Sequence, residues 1–194
     1  VYPDLPTVDC SDGIELLTLE HDEEDEPHNE HNSHEHGEYD PHIWLDPRNA
    51  AGISDNIASA LISLLPSSED VITVNNKAYS LKMNELYNKI FTELEALQCR
   101  KMITFHDGFA YFANAFDLEI VKAIEEEAGS EASAREITDI CTLIEQYSLP
   151  CIFTEKNGSD STASAISRET GVSVGTLDMI MSGEKTRTGY EDLM

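Results

Sequence analysis

The sequence has 194 residues, 38 of them acidic and 12 basic, for a formal net charge of −26. Such a charge excludes nucleic acid and an anionic membrane surface as partners, because both require clustered Lys and Arg. At 40% apolar composition the chain can still pack a core, as one large or two small domains. No apolar run approaches the ~18 residues of a membrane span, and no signal peptide opens the sequence. What remains is an acidic globular protein whose partner is a cation.

The first basic residue is Arg48. Residues 20–40 hold ten carboxylates and five of the seven histidines, with almost nothing apolar. That composition buries too little surface to offset chain entropy, so the segment reads as a mobile loop. A solvated acidic spacer is the ordinary reading of the carboxylates. His21, His28, His31, His34 and His36 change it, since imidazole among carboxylates offers weak, multiple sites to a divalent metal. Beyond the loop, Asp46-Pro47 reads as an N-cap with proline at the first helical position, starting a helix that Pro66 stops. Ser67, with Asp70 three residues on, opens a second helix reaching about Gln98. Its stripe is Tyr79, Met83, Leu86, Tyr87, Ile90, Phe91, Leu94 and Leu97. A helix of that length reads as a rod joining two lobes.

From Arg100 onward strands and helices alternate. Strands are expected at 102–105, 119–124, 151–154 and 172–177, with helices at about 107–116, 133–147 and 161–171 between them. Ser133 and Glu136 form a capping box, and Gly171 closes its helix in the left-handed region. This alternation predicts an α/β lobe built on a parallel four-stranded sheet flanked by helices. Cys10, Cys99, Cys141 and Cys151 form no C-x-x-C pair and read as small buried hydrophobes.

In open parallel sheets ligands bind beyond the carboxyl ends of the strands. His106 follows the first expected strand and Asp178 the fourth, so both face that rim. Each also has an ordinary structural reading, His106 as a packing or capping residue and Asp178 as a turn residue. His42, after the Asp40-Pro41 corner, would by itself read as a surface histidine.

Together the motifs resemble a known family. Asp40-Pro41-His42-Ile43-Trp44-Leu45-Asp46-Pro47 is similar to the signature of zinc and manganese solute-binding proteins of ABC transporters, the ZnuA/TroA-like metal-binding lipoproteins. The likeness continues through Phe105-His106-Asp107-Gly108-Phe109-Ala110-Tyr111-Phe112, Ile152-Phe153-Thr154-Glu155, Glu169-Thr170-Gly171 and Thr176-Leu177-Asp178. The resemblance implies a two-lobed protein with the metal between its lobes. Residues 1–66 would be a remnant of the first lobe, 67–98 the linking helix and 99–194 the C-terminal lobe. It implies His42, His106 and Asp178 as ligands of Zn2+, with Mn2+ the lesser candidate. It also implies a non-enzymatic, extracytoplasmic monomer that hands its ion to a membrane ABC permease. A further family histidine upstream has no counterpart here, so the sequence reads as a fragment with an open ligand position. That opening leaves two rivals, a His-rich zinc buffer or chaperone and a zinc-dependent hydrolase. Asp107 reads as a cap of the following helix or a partner orienting His106.

Overall fold

The computed structural model describes residues 5–18, 38–125, 132–156, 161–183 and 186–194. After a 3-10 turn at Ile43–Leu45, helix α1 runs Pro47–Leu64 and α2 runs Glu69–Leu94. The remaining elements are β1 (Lys101–His106), α3 (Ala110–Ala115), β2 (Glu119–Glu125), α4 (Ala134–Tyr147), β3 (Cys151–Glu155), α5 (Ser161–Thr170), β4 (Ser173–Leu177) and α6 (Gly189–Leu193). The strands form one parallel sheet in the order β2-β1-β3-β4. That is the α/β architecture expected from the alternation. The order reverses between β1 and β3, which makes the carboxyl end of β1 a topological switch point.

Local chemistry explains most boundaries. The Asp46 side chain accepts from the Arg48 N–H at 2.8 Å, capping α1 with Pro47 at its first position. The Ser133–Glu136 capping box is present in both directions. Gly171, at φ +75°, follows α5 in the left-handed region, where an added side chain would be strained. Three boundaries depart from expectation. Ser67 lies in a 3-10 turn at Pro66–Ser68, and α2 begins beyond it without a side-chain cap. Helix α2 ends at Leu94 instead of continuing to Gln98, because Arg100 turns back and donates to the carbonyls of Leu94, Phe116 and Asp117. Asp107 caps nothing: α3 starts three residues later, with Phe109 at its cap position and no side-chain bond.

Two apolar clusters cover the sheet. One joins Ile103, Phe105, Ile124 and Ile152 to Ile140 and Ile144 of α4 and Ile166 of α5. The other joins Phe109 and Tyr111 to Leu45 and Met179, with Trp44, Phe112 and Ile120 packed against them. Helix α2 lies along α1, where Met83, fully buried, meets Ala50 and Ala51. All four cysteines are free and only part-buried, Cys99 and Cys141 at the margin of the first cluster. Truncating Met83 to Ala would open a void at the α1–α2 contact and cost about 2–5 kcal/mol. We expect a urea midpoint lowered accordingly, with an unchanged slope.

Candidate metal centre

His42 is delivered to the carboxyl rim by a set of buried and part-buried hydrogen bonds. The Tyr111 hydroxyl donates to the Asp40 carbonyl at 3.1 Å and accepts the Leu17 N–H at 2.9 Å. The Trp44 indole N–H donates to the Met179 carbonyl at 2.8 Å, just past β4. Tyr190 of α6 donates to the Trp44 carbonyl at 2.6 Å. Burial pushes the Tyr190 hydroxyl far above its ordinary range, so it remains a donor. Arg48 pairs with Asp46 and lies 4.4 Å over the Tyr87 ring, tying the same segment to α2.

This docking brings two of the expected residues together. The rings of His42 and His106 lie 5.3 Å apart, centroid to centroid, and nearly perpendicular at 88°. Two imidazoles sharing one tetrahedral zinc, at Zn–N of about 2.0–2.1 Å, have centroids about 5.2 Å apart. The pair therefore has the spacing of ligands to a common ion. His106 is the last residue of β1, one position earlier relative to the strand end than the sequence suggests.

Each ring is held differently. Asp40, only 3% exposed, accepts from His42 Nδ1 at 2.6 Å and from the His42 backbone N–H at 2.8 Å. A carboxylate only accepts, so Nδ1 of the neutral ring carries the proton and Nε2 keeps its lone pair. Among the described residues, buried His106 Nδ1 has no hydrogen-bond partner. Such a nitrogen costs about 1–3 kcal/mol unless something pairs with it, and a metal ion would. Gly108 permits the ring's position, because a Cβ there would come within 2.6 Å of His106 Cδ2 and of Met179 Cε.

Asp178 sits on the same rim but is engaged elsewhere. Its Oδ1 accepts from the Ile180 N–H at 2.9 Å and its Oδ2 from the Lys156 ammonium at 2.8 Å. Burial pushes this carboxyl up, but those hydrogen bonds outweigh it and leave the group below the ordinary carboxylate value. The expected turn role of Asp178 is thus realised in its contact with Ile180. Among the described residues, no three or more His, Cys, Asp or Glu side chains close on a common point. His21, His28, His31, His34 and His36 lie outside the described residues. The flanks of their segment do meet, with Thr18 and Tyr39 forming an antiparallel bridge close before His42. Burial raises the thiols of Cys141 and Cys151, away from reactive thiolate.

Sequence reasoning missed Asp40, Gly108 and Lys156. For Asp40 a local signal existed, a carboxylate two residues before the histidine. For the others it did not.

Comparison with known proteins follows the same lines. The family model described as zinc-uptake complex component A, periplasmic, matches residues 3–194. The chain is 29% identical over 148 residues to the high-affinity zinc uptake system protein ZnuA of Yersinia pestis, a match covering 76% of this chain and 46% of that protein. It thus spans about half the length of that relative. A crystal structure of ZnuA superimposes with a TM-score of 0.74 at 30% identity, over 89% of this chain and 61% of the other. A Zn(II)-bound variant of AdcAII from Streptococcus pneumoniae gives a TM-score of 0.75 at 27% identity, over 95% of this chain and 65% of the other.

Loss of a carboxylate that orients a ligating imidazole typically costs 10–100-fold in metal affinity. We expect Asp40→Ala to weaken the tightest zinc event by roughly that factor, measured by chelator competition. Asp40→Asn, which keeps an oxygen acceptor, should lose less.

Proposed function

Because this chain belongs to the ZnuA family of zinc-uptake components, we propose that it captures Zn2+ outside the cytoplasm and passes it to the permease of an ABC transporter. The relatives are zinc-uptake and zinc-binding proteins by name. The observation that carries the reading is the imidazole pair at the switch point, with one ring set by Asp40 and the other holding an unpartnered nitrogen. In this reading His42 binds through Nε2, His106 through a ring nitrogen and Asp178 through its carboxylate. Imidazole is a borderline donor that suits zinc, and a single carboxylate favours it over the oxygen-rich sites manganese prefers. The protein works as a monomeric receptor and catalyses nothing. Its C-terminal lobe, residues 99–194, supplies His106 and Asp178, residues 67–98 link the lobes, and residues 1–66 supply His42.

The His-rich segment serves as a collector. Its flanks meet at Thr18 and Tyr39, the latter three residues before His42, and the field of its carboxylates concentrates cations. A buffer would use this segment alone, and that difference is testable. Replacing His106 with Ala should abolish the tightest zinc event in chelator competition while leaving the thermal midpoint nearly unchanged. Unchanged tight binding in His106→Ala would overturn the assignment and favour the buffer. Because ligating imidazoles must be neutral, affinity should also weaken on acidification.

Deleting residues 21–38 should lower the number of zinc ions bound and slow loading at low salt. The affinity of the tight site should remain. Stopped-flow loading and a titration of the deletion variant check this, and loss of the tight event would make the segment a primary ligand donor.

A further inference from the structure

One rim carboxylate already carries a cation supplied by the chain itself. Lys156 follows β3 directly, and its backbone N–H donates to the Leu177 carbonyl at 2.9 Å. The side chain therefore starts one residue from Asp178 in space, although 22 positions away in sequence, and its ammonium reaches Oδ2 at 2.8 Å. The other oxygen is occupied by the Ile180 N–H. The Asp178 side chain is 18% exposed and that of Lys156 56%. Among the described residues no such cation engages the imidazoles of His42 and His106: Asp40 leaves His42 Nε2 its lone pair, and His106 Nδ1 has no hydrogen-bond partner.

The rim thus offers its imidazoles unencumbered and its carboxylate only in exchange for an ammonium. Two cations cannot share one carboxylate oxygen at short range without repulsion. An incoming ion that draws much of its binding from oxygen must displace Lys156. One satisfied by imidazole loses less. Resting on the reading that His42, His106 and Asp178 hold a divalent ion, we propose that Lys156 is a specificity-determining residue, an internal competitor for Asp178 that favours imidazole-preferring Zn2+ over carboxylate-preferring Mn2+. The preference itself follows from ligand chemistry, with nitrogen donors suiting zinc and oxygen donors manganese. Because Lys156 is more than half exposed, the contact is screened by solvent and the effect is modest. Measured exposed ion pairs span up to about a five-fold effect on an equilibrium.

The test uses the full chain with Zn2+ and Mn2+ alone as probes, their affinities measured by chelator competition at one pH and salt concentration. Removing a positive charge strengthens both ions through space, so the readout is the ratio of the two affinities. Lys156→Met should tighten Mn2+ more than Zn2+, narrowing the ratio by about two- to five-fold. Lys156→Arg, which keeps the charge and the pairing, should leave the ratio near its original value. In an Asp178→Asn background, Lys156→Met should no longer change it. A ratio unmoved by Lys156→Met, or moved equally in the Asp178→Asn background, overturns the proposal while the metal site stands. If Asp178→Asn alone leaves both affinities unchanged, Asp178 is not a ligand. That result overturns the three-ligand reading together with this proposal.

Discussion

His42 meets His106 only because residues 40–46 are fastened to the carboxyl rim of a sheet more than fifty residues further along the chain. The fastening is polar, with the first bond buried and the other two part-buried: Tyr111 to the Asp40 carbonyl, Trp44 to the Met179 carbonyl and Tyr190 to the Trp44 carbonyl. Shielded at least in part from water, each such group prefers its partner over none, so the segment has few alternative seats. Leu45, Phe109, Tyr111 and Met179 form the apolar cluster beside these bonds. The spacing of the imidazole pair follows from that seat. Parallel topology supplies the other half, because the reversal of strand order beside β1 opens the crevice where His106 ends its strand.

The three rim residues stand in unequal states of readiness. His42 is oriented and its tautomer chosen by Asp40. His106 is placed by the backbone of β1 and by the missing side chain of Gly108, and its buried nitrogen is unpaired. Asp178 is held by Lys156 and Ile180. Pre-set imidazoles reduce what an ion must spend on ordering its ligands, whereas an ion reaching Asp178 must part it from Lys156.

Much of this was legible in the sequence. Short apolar runs alternating with helical stripes gave the strands, their order along the chain and the α/β class: central β1 is buried continuously from Met102 to Phe105, although edge strand β4 is largely exposed. Capping chemistry at Asp46 and Ser133 is local and could be read directly. The boundaries that slipped were those set by distant contacts. Arg100 turns back to the carbonyl of Leu94, the last residue of α2, while also bonding that of Phe116 beyond α3, and α3 starts late because the chain at Gly108 passes against His106 and Met179. The Lys156–Asp178 pair joins residues 22 apart, and no sequence period marks it. The long second helix, read as a rod joining two lobes, packs along α1 through Met83.

The account stands or falls on whether one ion lies between His42 and His106. Anomalous diffraction at the zinc edge, on crystals grown with one equivalent of Zn2+, tests this most directly. We predict a single strong anomalous peak within bonding distance of His42 Nε2 and a nitrogen of His106, with Asp40 still on His42 Nδ1. A zinc peak bonded to neither histidine, with the imidazole pair undisturbed, would contradict it.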